Sequence, residues 1–373
     1  MKKVLYIATS DVHIRTFHLP FLKWLKENGC IIHLAAEKRG DVVFDDIDQV
    51  FYMPFPRSPL NRVYFSTYNK LKMIIDQECY DLVHCHTPLP SFIGRLAARS
   101  SRKKGTKVLY TVHGFHFFKG APLKNWLIYY PAEWFMSFFT DAIITMNSED
   151  FSYINEKMPH KKTYIIPGMG VDPKKFHPFT EEEKIACRKK LGFDPKSVIL
   201  LYVAEFIPRK NHELIIPAIK KTITKNPNVK VIFAGKGPLI EKIKKLAVNV
   251  GLDKDIEFLG FRDDIPELTG ISDIGISASR HEGLPISLLQ EMFCGLPVVA
   301  PIERGHNELI ADKENGFLYP QNDHISLAIA LQKLIDDPEL RVQMGKKSLK
   351  RARLFSIENS LKAMAEIYEI YLS

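Results

Sequence analysis

No apolar run in this 373-residue chain approaches the roughly 18–20 residues that a membrane-spanning helix needs, and even residues 128–144 are interrupted by Pro131, Glu133 and Asp141. Nothing is therefore expected to cross a bilayer. The basic start Lys2-Lys3 leads into too short an apolar segment before Asp11 for a signal peptide, and residues 4–8 suit a first buried strand better, so a cytoplasmic protein is expected. Cysteine is scarce. Cys30, Cys79, Cys85, Cys187 and Cys294 are odd in number and contain no C-x-x-C pair, which excludes a disulfide framework and offers no zinc motif. There is no 20–50-residue repeat and no biased tract, so solenoids and low-complexity chains are excluded as well. With 46% hydrophobic and 25% charged residues, what remains is an ordinary globular composition with enough length for two domains.

The net charge of +9 is uneven: residues 1–170 carry 22 Lys and Arg against 15 Asp and Glu, and residues 171–373 carry 30 against 28. The first half calls for an anionic neighbour, nucleic acid or a phospholipid surface. The chain has no recognition-helix motif and no RNP-like strand, which argues against nucleic acid. Ten apolar runs of strand length (4–8, 31–35, 82–85, 108–112, 142–145, 198–203, 229–234, 256–259, 274–278 and 298–300) alternate with amphipathic helical stretches. That alternation predicts parallel sheets. Ten strands are too many for one comfortable open sheet, and a Gly- and Pro-rich loop at 167–173 marks a junction. We expect a first domain over 1–168, a second over 175–355, and a last helix over 356–373 that packs back on the first. The apolar face of that helix, Leu361, Met364, Ala365, Ile367, Tyr368 and Leu372, exceeds what a solvated tail needs.

In parallel sheets, ligands lie beyond the carboxyl ends of the strands, so the turns there carry the functional expectations. The turn Gly235-Lys236-Gly237-Pro238 lacks the third glycine of a dinucleotide fingerprint and the Gly-Lys-Ser/Thr of a P-loop, leaving a tight turn or a turn beside a ligand. Arg209 and Lys210 open a helix after a strand, as a diphosphate site requires and as a solvated face also allows. Glu282-Gly283-Leu284-Pro285 precedes a helix over 286–293, so Glu282 is either a ligand-binding carboxylate or a cap. His84 and His86 flank Cys85 on a strand without a visible third ligand, which reads as core packing or acceptor contact rather than metal. The aromatic run 115–130, with Lys119 and Lys124, is expected to dock on anionic lipid, the alternative being that most of its rings are core.

The run from Glu282 to Val299, together with Phe258 to Ile265, Ile166 to Asp172 and Arg304 to Leu309, resembles the signatures of glycosyltransferase family 4. His84-Cys85-His86-Thr87-Pro88 and Tyr110 to Phe117 resemble its exopolysaccharide and capsule subgroup. The resemblance implies an α/β GT-B fold, two facing Rossmann-like domains with parallel sheets and a cleft between them. It assigns Glu282 to the donor-sugar hydroxyls and Lys210 to the diphosphate. Gly283, Leu284 and Pro285 lie near the donor phosphates, Gly235 beside the donor, and Arg262 to Ile265 along the base. His113 faces the reacting sugar, while Asp11, His13 and His86 face the acceptor. Two positions depart from the pattern. Gln290 stands where the family has a ribose-binding Glu, with Glu291 one residue late, and Glu205 replaces a phosphate-binding Arg, which leaves Arg209 as the second cation.

The resulting expectation is a retaining hexosyltransferase. It uses no cofactor or metal, and it moves a sugar from a nucleotide-diphosphate donor, a UDP-sugar, to a lipid-linked acceptor at the inner face of the plasma membrane. A sugar-nucleotide epimerase on the same fold is the alternative.

Overall fold

The structure is a computed structural model that describes residues 1–56, 58, 61–158, 162–223 and 228–373. The chain forms two compact units, Met1–Met169 with Glu358–Ser373, and Gly170–Ile357.

The first unit is a seven-stranded parallel sheet ordered β3-β2-β1-β4-β5-β6-β7. Its strands are β1 (Lys3–Ser10), β2 (Ile31–Glu37), β3 (Gln49–Tyr52), β4 (Leu82–His86), β5 (Lys107–Thr111), β6 (Ala142–Thr145) and β7 (Thr163–Ile165). The second unit holds six parallel strands ordered β10-β9-β8-β11-β12-β13. These are β8 (Val198–Val203), β9 (Val229–Ala234), β10 (Ile256–Gly260), β11 (Ile274–Ile276), β12 (Val298–Pro301) and β13 (Gly316–Tyr319). The central strands are nearly continuous apolar runs because helices cover both sheet faces; all five residues of β4 are buried.

The three strands absent from the sequence expectation, β3, β7 and β13, all lie at sheet edges. β3 and β7 are half-exposed, so solvent relaxes the demand for apolar side chains, and β13 is a four-residue segment opening with Gly316.

Strand order reverses direction between β1 and β4 in one sheet and between β8 and β11 in the other. Loops leaving neighbouring strands diverge to opposite faces at such a point and open a crevice, which is where open α/β sheets bind ligands. The C-terminal helix, Ile357–Leu372, is tied to the first unit: Tyr368 donates or accepts at His84 Nδ1 (2.8 Å), Trp24 stacks on Tyr368, and Ser360 Oγ donates to Pro167 O.

The lipid-facing expectation changes in detail. Phe115 and Phe117 are buried and stack at 4.6 Å, while Trp126, Tyr129 and Tyr130 pack partly against the same core. The helix Leu123–Ser137 turns Glu133 inward to Arg95 (2.7 Å), whose guanidinium lies over the Tyr110 ring. That buried anchor fixes the outward stripe, which consists of Leu123, Leu127, Ile128, Trp134 and Phe135, continued by Phe138 just past the helix. Among the described residues, no helix is long and apolar enough to cross a membrane.

Candidate functional site

In the second unit, the loop after β8 is held in place from three sides. Gly237 approaches Phe206 so closely that an added Cβ would sit 2.5 Å from Phe206 O, and at Gly235 it would sit 2.0 Å from Ala204 O. Only glycine fits at either position, and both hold the turn after β9 against the β8 loop. The loop then turns through Pro208–Lys210 and the left-handed Asn211 into the helix His212–Ile223. Tyr202, on β8, donates to Lys210 O (2.6 Å) and meets Ser279 Oγ (3.2 Å), linking this turn to the one after β11.

That linkage aims the two cations at one carboxylate. Lys210 Nζ lies 2.6 Å from Glu282 Oε1, and Arg209 Nη1 lies 3.0 Å from Glu282 Oε2. Burial alone would raise the Glu282 pKa, but the charges of Lys210 and Arg209 and the Lys210 hydrogen bond outweigh it and hold the carboxyl well below its usual range. Glu282 is therefore an ionised, buried carboxylate and not a cap: the helix Ile286–Phe293 begins at Pro285 with no side-chain cap. Arg304 Nε donates to Glu282 O (3.2 Å), so the backbone of the turn is fixed as well. Gly283, Leu284 and Pro285 are buried beside it.

Gln290 and Glu291 point in different directions. Gln290 is half-buried, whereas Glu291 is turned into the core against Gly275, where an added Cβ would lie 2.2 Å from Glu291 Oε2. Neither Glu291 oxygen has a hydrogen-bond partner among the described residues, and burial pushes its pKa well above the ordinary value. Arg262 forks onto Asp264 after the edge strand β10, with half-buried Ile265 next in line. A cavity of about 610 Å³ in this unit opens at the amino ends of the strands, near Val198, Asp273 and Pro297, so size does not locate the site.

In the first unit, histidines cluster at the corresponding carboxyl ends of the strands. His13 Nε2 faces His18 Nε2 at 3.2 Å, His18 Nδ1 meets Tyr6 OH at 3.0 Å, and His113 Nε2 is 3.4 Å from His86 Nδ1. Burial lowers the pKa of His13 to about 4 and that of His113 to about 3, and it holds His18 and His86 well below the usual value. All four imidazoles are neutral at physiological pH.

Two of the residues expected at an acceptor have no exposed surface. Asp11 is fully buried, its carboxylate accepting from the backbone N–H groups of Val12 (2.7 Å) and Arg39 (2.9 Å). His86 is fully buried and stacks on Tyr6. His13 and His113 keep some exposure. His84 spends both nitrogens internally, on Tyr368 OH and Thr111 Oγ1. Beside the cluster, a cleft of about 200 Å³ is lined by Phe55, Pro56, Pro88, Leu89, Pro90, His116, Tyr129 and Thr9.

Sequence reasoning missed Tyr202, Arg304 as a contact to Glu282, and His18. A signal for His18 was present: Leu19-Pro20 breaks the helical stretch immediately after it, leaving His18 between the helices Asp11–Phe17 and Leu19–Glu27.

Two Rossmann-like parallel sheets, one carrying two cations and a buried carboxylate at its switch point, define a glycosyltransferase of the GT-B class. The description "Glycosyltransferase Family 4" matches residues 19–175, and "Glycosyl transferases group 1" matches residues 183–351. The chain is 41% identical to EpsD of Bacillus subtilis (strain 168), itself assigned only provisionally as a glycosyltransferase, over 100% of this chain and 97% of that protein. It is 28% identical to the UDP-Gal:alpha-D-GlcNAc-diphosphoundecaprenol alpha-1,3-galactosyltransferase of Escherichia coli, over 91% of this chain and 88% of that one. Anabaena HepE, solved in complex with UDP and glucose, superposes with a TM-score of 0.80 at 19% identity, covering 99% of this chain and 100% of that one. The chain belongs to glycosyltransferase family 4 and is a transferase of glycosyl groups.

Proposed function

We propose that this enzyme is a retaining, metal-independent glycosyltransferase of exopolysaccharide or capsule assembly. It takes a hexose or N-acetylhexosamine from a UDP-sugar and delivers it to a polyprenyl-diphosphate-linked glycan. The observation that carries this reading is the Lys210–Glu282–Arg209 network at the carboxyl ends of β8 and β11. Its cations suit a leaving diphosphate, and its carboxylate suits sugar hydroxyls. Gln290, on the half-buried face of the next helix, has the donors and acceptors for a ribose diol, and Arg262 with Ile265 borders the base.

In this reading the leaving diphosphate deprotonates the acceptor hydroxyl on the face it departs from, so the anomeric configuration is retained. Catalysis then rests on positioning and on stabilising the charge that grows on the diphosphate, with Lys210 the principal cation and His113 at the reacting sugar. The donor class is supported by HepE bound to UDP and glucose, and the lipid-linked acceptor by the diphosphoundecaprenol substrate in the name of the Escherichia coli relative. The apolar stripe Leu123, Leu127, Ile128, Phe135 and Phe138, flanked by Lys119 and Lys124 in the more basic half, suits peripheral docking on the anionic inner leaflet.

The test is incubation with a panel of radiolabelled sugar nucleotides, with and without polyprenyl-diphosphate-linked glycan. Transfer of label from one UDP-sugar to the lipid, with the anomeric configuration kept by NMR, is expected. Donor turnover without acceptor, or inversion at the anomeric carbon, overturns the reading. Co-sedimentation with phosphatidylglycerol vesicles tests docking: Lys119→Glu with Lys124→Glu should release the protein, and unchanged binding removes the membrane assignment.

A further inference from the structure

The histidine cluster of the first unit has a property that sugar transfer does not require. One ring nitrogen from each of His13, His18 and His113 lies within 4.8 Å of the other two, and the His13–His18 nitrogens already stand 3.2 Å apart. Imidazole nitrogens bound to a tetrahedral zinc-class ion at about 2.0–2.1 Å are separated by roughly 3.3 Å. One edge of that polyhedron is thus formed, and the other two require a contraction that ring rotation at the half-buried His13 and His113 supplies. The residues come from three different places in the chain: the helix Asp11–Phe17, the break after it, and the loop after β5.

The orientation of the fully buried His18 is set from behind. Its Nδ1 is hydrogen-bonded to Tyr6 OH, which leaves Nε2 for the cluster, the arrangement by which a second partner fixes the tautomer of a ligating histidine. His113 has a neighbour as well, its Nε2 lying 3.4 Å from His86 Nδ1. The carboxylate nearest in sequence, Asp11, is committed to backbone N–H groups, so the donor set is nitrogen only. Nitrogen-only sets take Zn²⁺, Co²⁺, Ni²⁺ or Cu²⁺ and leave Mg²⁺ and Ca²⁺, which want oxygen, in solution.

We propose that His13, His18 and His113 form a binding site for one divalent transition-metal ion of the zinc class, with three protein ligands and a fourth position open to water. Resting on the functional reading above, the same occupancy inhibits transfer, because it consumes the ring nitrogens of the half-buried His13 and His113, on which the acceptor and the reacting sugar depend.

The test is titration of the full-length protein with Co²⁺ followed by visible absorption, which needs no substrate. Wild type should develop the bands of tetrahedral Co²⁺, saturating at one equivalent, abolished by Zn²⁺ and unaffected by excess Mg²⁺. His13→Gln, at a half-exposed position, should weaken binding at least about tenfold with an unchanged far-UV spectrum. Tyr6→Phe, which keeps the ring and removes the hydroxyl that holds His18 and also meets Tyr368, should weaken it about 10–100-fold. Absence of the bands in wild type overturns the site, as does their persistence at wild-type affinity in His13→Gln. Micromolar Zn²⁺ should inhibit transfer and a chelator should restore it. Metal binding without inhibition would leave the site standing and remove His13 and His113 from the transfer reaction, whereas inhibition without the absorption bands would overturn the site alone.

Discussion

The two units place a polar cluster at the same topological position, the point where strand order reverses, and the two clusters answer burial in opposite ways. In the second unit a buried carboxylate stays charged because Lys210 and Arg209 lie within 3.0 Å of its oxygens. In the first, four histidines lose their charge because burial is the leading cause of their shifts and their titratable neighbours are other imidazoles. Desolvation is common to both, and what differs is whether the sequence supplies an opposite charge at contact distance. A charged network suits an anionic leaving group. A neutral one suits hydroxyl recognition and metal binding.

The sharpest way to break the charged cluster is Lys210→Ala. It removes the closer cation and leaves Glu282 with Arg209 alone, and it should lower kcat/KM by roughly 10²–10³-fold, the scale of losing one transition-state stabiliser. Steady-state kinetics with the identified donor checks this, and an effect below threefold would remove Lys210 from the site. Glu282→Gln in the same assay should act mainly on kcat by misplacing the sugar ring.

Glu291 carries the comparison inside the second unit itself, being a buried carboxyl with no cation. Gly275→Ala drives a methyl group into its Oε2 and should cost about 1–3 kcal/mol, or a fall in Tm of several degrees. Adding Glu291→Ala should recover much of the loss, and a double mutant no more stable than Gly275→Ala would show that the strain lies elsewhere.

The same residue gives a pH dependence opposite to that of Glu282. Glu291 holds its proton to a higher pH in the folded protein than in the unfolded chain. From about pH 4.3, where the unfolded chain begins to ionise, up to the raised folded value, stability should fall with pH by at most about 1.4 kcal/mol per unit. Glu282, whose folded pKa is depressed, contributes stability present above about pH 4.3 and lost on acidification through its folded value. Denaturant titrations across pH should show Glu291→Gln flattening the alkaline loss, and an identical slope in the variant would remove Glu291 as its source.

The smallest effect expected is at Gln290. Gln290→Ala should raise the donor KM several-fold with little change in kcat, because a neutral contact to ribose is alike in ground and transition states. Glu291→Gln should leave donor binding unaltered, and the reverse pattern would shift the ribose contact by one residue.

Composition and periodicity were enough for two parallel α/β sheets, because central strands covered on both faces must be apolar throughout; residues 198–203 and 229–234 read as strands for that reason. The helix Ile286–Phe293 was legible from Pro285 and Gly295, which bound it. Edge strands such as β3 and β7 were not legible, since solvent on one side relaxes the pattern. Lys210, Arg209 and Glu282 were recognisable as candidates in the sequence, but two residue types separated by 72 positions carry no mark of pairing. Only the hydrogen-bonded adjacency of β8 and β11, with Tyr202 bridging their loops, brings them to 2.6 Å and decides that Glu282 is an ionised partner and not a helix cap. Likewise, the sequence held the histidines, while the partial exposure of His13, the burial of His86 and the convergence on His18 were set by separate segments meeting at the carboxyl ends of the interior strands β1, β4 and β5. Charge state follows from burial and neighbours, and both are properties of packing in space.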